Sequence, residues 1–201
     1  MEISKIKDYL LRKRYIPWDK SRLIRMGVLD LLNNLDDILV FLKRHKDELS
    51  DDLLALLRVV EAWLAGKRDL DVGESATLLR FMSFMVWKLG LDKRFIKRGS
   101  LLKRKISENP EIINYPLEKL RKLPDEPAET SQWMSAAVLL GNEEKVDNMP
   151  FHLKETYEAM AHWENRRAKG LCWEPRYDQT ILRQAITFVK LLRREEVSFV
   201  A

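Results

Sequence analysis

Cysteine is almost absent: the single residue, Cys172, excludes an internal disulfide framework and a cysteine-rich zinc site. Glycine and proline are scarce too. Seven of each in 201 residues fall well below the ~12 % that the two together ordinarily reach. That argues against sandwiches, propellers and collagen-like chains. Three histidines, His45, His152 and His162, stand in no HExxH or paired Cys/His spacing, and no Gx4GK[ST] loop occurs. No metal and no cofactor is therefore expected. No apolar run approaches the ~20 residues that cross a bilayer. The charged start MEISKIKDYLLRKR lacks the apolar segment of a secretory signal. These absences lead to the expectation of a soluble, reduced, cytoplasmic protein with no membrane partner.

Hydrophobic residues at 46 % and charged residues at 33 % describe a globular chain, not a disordered one. Its length lets it bury roughly 70 % of its unfolded surface without covalent staples. Thirty-six basic against 31 acidic side chains give a net charge of +5. The positive charge clusters at Arg12-Lys13-Arg14, at 93–98, at 103–105 and at Arg193-Arg194. A solvated surface accounts for such clusters. The functional alternatives are an anionic small molecule or a nucleic acid, because phosphates attract Lys and Arg in both.

Helical periodicity dominates. Leu53, Leu56, Leu57, Val60 and Leu64 form one apolar stripe. Ser50 is placed as its N-cap, Asp51 and Asp52 suit the positive end of the dipole, and Gly66 sits at C′. Leu78, Leu79, Met82, Met85, Val86 and Leu89 form a second stripe, closed by Gly90. Residues 153–169, closed by Gly170, predict a third helix. Residues 178–194 predict a fourth, with Ile181, Leu182, Ala185, Ile186, Val189 and Leu192 facing inward. Residues 21–35 also read as helix, and 1–15 as an N-terminal helix extension. Short strands are expected at 38–42, at Arg94-Phe95-Ile96 and at 197–200. Pro110, Pro116, Pro124 and Pro127 punctuate 107–129, which reads as loop or short extended pieces. The six tryptophans (18, 63, 87, 133, 163 and 173) suit core or subunit packing, with a stacking surface as the alternative. The fold class is a helix-rich α+β (α/β) single domain over 1–201. An all-α helical bundle is the alternative.

Four polar clusters precede predicted helix starts. Asp19-Lys20-Ser21 is followed by Arg25, Gly73-Glu74-Ser75-Ala76-Thr77 by Arg80, and Arg98-Gly99-Ser100 by Arg104; Thr130-Ser131-Gln132 opens a further helix. A helix N-terminus presents unpaired N–H groups and partial positive charge, which hold phosphate or carboxylate. Arginine adds a bidentate fork. One such cluster is ordinary capping; four point to a site for a small polyanion.

At these clusters the sequence resembles the enolpyruvyl transferases, and within them the 3-phosphoshikimate 1-carboxyvinyltransferases. Lys20-Ser21 with Arg25 resembles their Lys-Ser…Arg signature. Asp51-Asp52 resembles the start of their Asp-Asp helix. Gly73-x-Ser75-x-Thr77-x-x-Arg80 resembles their Gly-Asn-x-Gly-Thr-x-x-Arg loop. Gly99-Ser100-Leu101…Arg104-Lys105-Ile106 is similar to their Ser-Leu…Arg-Pro-Ile segment. Thr130-Ser131-Gln132…Ser135-Ala136 is similar to their Ser-Ser-Gln…Ser-Ala helix start. Pro175…Asp178-Gln179-Thr180 resembles their Pro-Tyr-x-Asp-x-Thr junction, with Tyr177 shifted by one place.

The resemblance implies one of the family's two domains, built from βαβαββ units with helices inside and sheets facing solvent. It implies that Thr130 and Ser131 bond a 3-phosphate. Arg25, with Ser21 beside it, would take the shikimate carboxylate. Lys20 would lie between shikimate 3-phosphate and phosphoenolpyruvate as the catalytic lysine. Arg104 would grip phosphoenolpyruvate, Gln132 would lie against the ring, Arg80 would hold the loop, and Tyr177 would join the substrate-binding set. Lys20, Ser21, Arg25, Arg104 and Ser131 would converge on one cavity. Glu74, Ala76 and Lys105 depart from the family's Asn, Gly and Pro. The domain that supplies its acid–base carboxylates has no counterpart, so transfer would need a second subunit or a homo-oligomer. The alternatives are a non-catalytic phosphometabolite-binding or scaffold module of the same fold, and a helical nucleic-acid-binding protein. Of the partner classes, an anionic small molecule is preferred to nucleic acid.

Overall fold

The computed structural model describes residues 2–144, 146 and 148–198. In chain order these form α1 (Ile3–Arg12), α2 (Lys20–Leu32), α3 (Asp37–Arg44), α4 (Asp51–Leu64), β1 (Asp69–Gly73), α5 (Ala76–Lys88), β2 (Arg94–Lys97), α6 (Leu117–Leu120), α7 (Gln132–Leu139), α8 (Phe151–Ala168) and α9 (Gln179–Ser198). Short 3₁₀ turns occupy Lys46–Glu48, Gly99–Lys103 and Pro110–Asn114. The chain is thus helix-rich, with a small parallel sheet. Among the described residues no helix is long and apolar enough to cross a membrane.

The middle of α2 is buried on every side, from Arg22 to Leu31. A helix with apolar residues all round belongs in a core, and α2 packs against α3, α4 and α8. Gly27 permits the close approach of α3 and α4. A Cβ there would meet Leu56 at 3.2 Å and Ile38 at 3.3 Å. The ionisable groups inside the helix, Arg22, Arg25 and Asp30, must then find partners, since an unpaired buried charge is costly. Asp30 accepts from the indole nitrogens of Trp163 and Trp173, each at 2.8 Å, and from the Ile38 amide at 3.0 Å. Burial pushes its carboxyl above the ordinary range, against those hydrogen bonds. Trp133 and Trp173 are buried, and Trp18, Trp63, Trp87 and Trp163 pack against the core from its edge.

β1 and β2 run parallel, with Leu70 opposite Phe95 and a register shift between Asp71 and Gly73. They enclose α5 as a strand–helix–strand unit. β1 alternates: Leu70 and Val72 are fully buried while Asp69 and Asp71 reach outward. A βαβαββ unit has four strands, and the described residues contain two.

Two expectations are corrected. Residues 38–42 are helical, inside α3, not a strand. Ile38, Phe41 and Leu42 lie at i, i+3 and i+4 and are buried, so helical periodicity overrides β-propensity. Asp37 in the first turn and Lys43 and Arg44 in the last suit the dipole. The strand expected at 197–200 is instead helix through Ser198, with 199 and 200 outside the described residues. The proline-punctuated 107–129 segment is loop, with the 3₁₀ turn Pro110–Asn114 and α6 set into it, and the described residues there form no strand. Asn109 caps Pro110–Asn114, with proline at the first position, where its missing N–H costs nothing. Ser50 precedes α4 without a side-chain capping bond.

Candidate functional site

β1 ends at Gly73, whose φ of +55° turns the chain sharply into α5. Asp71 accepts from the Gly73 amide at 3.1 Å, and Ser75 caps α5 by accepting from Leu78 N. β2 ends at Lys97 and leads through Arg98 and Gly99 into the 3₁₀ turn. Glu74, on the first of these connections, accepts from the Ser100 amide on the second at 2.9 Å. The two strand ends are thereby tied together. Beyond them opens a crevice of about 630 Å³. Ligands of open parallel sheets bind in this position, outside the carboxyl ends of the strands.

Three α-helices start at the crevice. Lys20 opens α2, Asp51 and Asp52 open α4, and Ala76 and Thr77 open α5; all line it. Each start contributes partial positive charge and unpaired N–H groups. Formal charges nearly cancel. Lys20 pairs with Asp52. Arg98 forks onto Asp71 at 2.8 and 3.2 Å, and Arg58 meets Asp71 at 3.1 Å. Among the described residues, Arg104 has no carboxylate within ion-pairing distance, and it is exposed on the crevice wall. Its field helps to lower Asp52 and Glu74. Burial pushes the Asp52 carboxyl up, but hydrogen bonds from Lys20 and Ser75 and the nearby cations outweigh it and hold it below the ordinary range. The Glu74 carboxyl is held low mainly by the Ser100 amide and hydroxyl. Both are acceptors with their charge committed, so the remaining attraction for an anion comes from Arg104 and the three helix starts.

A second cavity of about 340 Å³ lies where α2, α8 and α9 begin, and Lys20 lines both. Here Ser21 donates to Glu155 Oε2 at 2.8 Å, and His152 Nδ1 lies 3.3 Å from the same oxygen. Serine and histidine share one carboxylate oxygen, so the arrangement lacks the nucleophile–base order of a hydrolytic triad. Burial raises the Glu155 carboxyl. The bonds from His152 and Ser21 and the Arg25 charge overcome that and hold it low.

Of Lys20, Ser21, Arg25, Arg104 and Ser131, the crevice gathers Lys20 and Arg104. Ser21 faces the second cavity. Arg25 is fully buried and lines neither. It donates from Nε to Thr156 Oγ1 at 2.8 Å, from Nη1 to the Ser21 carbonyl at 2.8 Å, and from Nη2 to the His152 carbonyl at 2.9 Å. Its donors are spent on the interior. Arg80 forks onto buried Glu126, at 2.7 and 3.4 Å, and Glu126 also accepts from Trp133 Nε1 and, at 3.2 Å, from the Ser107 amide. Thr130 accepts from the Gln132 amide at 3.2 Å, Ser131 precedes α7 without a capping bond, and Gln132 is buried. None of these three lines either cavity. Tyr177 stacks on Trp18, with centroids 4.3 Å apart and planes within 10°.

Sequence reasoning did not find Arg58 or Asp71. Arg58 lies mid-helix and Asp71 in an unanticipated strand. Only the pairing of β1 with β2 brings Arg98 to the carboxylate that Arg58 also holds. Among the described residues no cluster of three or more His, Cys, Asp or Glu side chains could hold a metal. Comparison with protein-family models, curated proteins and solved structures finds no match to the chain.

Proposed function

We propose that the crevice binds a small phosphorylated or carboxylated metabolite, of the kind represented by phosphoenolpyruvate and shikimate 3-phosphate. One observation carries this reading: three α-helix starts and an unpaired arginine, Arg104, face one crevice at the carboxyl ends of β1 and β2. The Thr77 hydroxyl lines the same wall and supplies a further donor, while those of Ser75 and Ser100 are spent on Asp52 and Glu74.

The narrower reading, carboxyvinyl transfer as in the enolpyruvyl transferases, draws support from Lys20, which lines both cavities as a lysine between two ligands would. It draws none from Arg25, Thr130, Ser131 or Gln132, which lie away from the crevice. Glu74 and Asp52 are held ionised by their own partners, so neither supplies the acid for protonating a methylene carbon.

Titration calorimetry of the full chain with phosphoenolpyruvate and with shikimate 3-phosphate tests the binding reading. Binding is expected, and Arg104→Ala weakens it about tenfold or more without lowering the thermal midpoint. No heat at millimolar ligand, an affinity weaker than ~4 kcal/mol, overturns it. Phosphate release with both ligands present supports transfer. Binding without release leaves a non-catalytic module.

A further inference from the structure

The chain's net positive charge is concentrated in two segments, those that hold α1 and α9. Residues 2–15 carry five basic and two acidic side chains, and residues 179–198 carry four basic and two acidic. Together they hold a formal +5, the net charge of the whole chain, so everything between is balanced. α1 and α9 pack on each other.

α9 carries more apolar surface than α1 and the core cover. Leu182 is buried, and Ala185, Ile186 and Val189 are half-buried. On the adjoining arc, Ile181, Phe188, Leu191 and Leu192 are 38, 62, 51 and 44 % exposed. Ile181, Phe188 and Leu192 recur at i, i+7 and i+11, which places them in one line along the helix. Arg183 and Lys190, also exposed, lie on the opposite side by the same periodicity. α1 adds exposed Lys5, Lys7, Arg12 and Lys13. An exposed apolar stripe with basic residues on the other side of the same helix is the pattern of a helix that lies in a membrane interface.

Charge complementarity selects the occupant. A second copy would bring like charge against like. A nucleic acid would satisfy the basic residues but has no use for Ile181, Leu191 and Leu192. We propose that α1 and α9 dock the protein peripherally on an anionic lipid surface. Ile181, Phe188, Leu191 and Leu192 enter the headgroup boundary, and exposed Lys5, Lys7, Arg12 and Lys13 supply the attraction to the anionic headgroups. The absence of a membrane-length apolar run led to the expectation of no membrane partner, but peripheral docking needs no span. This proposal does not rest on the crevice reading.

The test is cosedimentation of the full chain with phosphatidylcholine vesicles containing about one-third phosphatidylserine, against pure phosphatidylcholine. Binding is expected to be at least about tenfold stronger to the anionic vesicles and to weaken with added salt. Phe188→Asp and Leu192→Asp each lower partition about tenfold, with unchanged circular dichroism because both side chains are exposed. Equal or absent binding to the two vesicles overturns the proposal. So does binding that survives Phe188→Asp, which is charge attraction alone. A dimer by light scattering that Phe188→Asp dissociates overturns it too, and gives the face to a second copy.

Discussion

Arg25 Nε donates to the hydroxyl of Thr156 at 2.8 Å and so joins α2 to α8 inside the core. The same guanidinium lies 5.3 Å from the centre of the Phe81 ring and 3.8 Å from Glu155. Burial lowers its pKa to about 10, against the raising fields of Glu155 and Asp19, which leaves it charged at neutral pH. An arginine held this way is a structural tie. Arg25→Met keeps the volume and removes every donor. The expected loss is about 3 kcal/mol, because two backbone carbonyls, the hydroxyls of Thr156 and Ser21 and a nearby carboxylate lose their partner. Urea denaturation measures it. A loss below about 1 kcal/mol contradicts the assignment.

Acid should weaken the fold through carboxyls held low. Asp71, bonded by Arg98, Asp52 and Glu155 all have folded-state pKa values below the ordinary range. For such a group the unfolded state binds more protons, so its contribution is present above the unfolded pKa and is lost as pH falls through the folded one. Asp30, raised by burial, acts in the opposite sense and offsets part of the slope. The thermal midpoint is expected to fall as pH drops below about 4, and to fall less steeply in Asp52→Asn. An identical slope in that variant removes Asp52 from the explanation.

Gly99 has a φ of +47°, and a Cβ there would collide with the Glu74 carboxylate. Gly66 has a φ of +67° with nothing within 4 Å of the same added atom. Gly66→Ala therefore incurs backbone strain alone, about 1 kcal/mol. Gly99→Ala should cost more, about 2 kcal/mol, because Glu74 must also leave the Ser100 amide. Differential scanning calorimetry of the two variants separates the terms. Equal losses would mean that the contact between the strand ends carries no stability.

The helices were readable because their signals are local. The stripe from Leu53 to Leu64 and its closing Gly66 need no knowledge of the rest of the chain, and α4 ends within a residue of that reading. β1 was not readable. Its alternation covers only Asp69 to Val72, too few residues to distinguish from a loop, and it becomes a strand by pairing with β2. Residues 38–42 misled because β-branched and aromatic side chains suit a strand until their i, i+3, i+4 spacing finds a core to face.

By itself the sequence determined where helices run and where they stop, since periodicity, first-turn carboxylates and left-handed glycines act within a few residues. Only the tertiary structure decided which arginine faces outward. Arg25 and Arg104 both follow a hydroxyl cluster, yet one is sealed among α2, α5 and α8 and the other stands on the crevice wall. That difference depends on contacts between residues more than a hundred positions apart, such as Arg25 with Thr156, which no local pattern encodes.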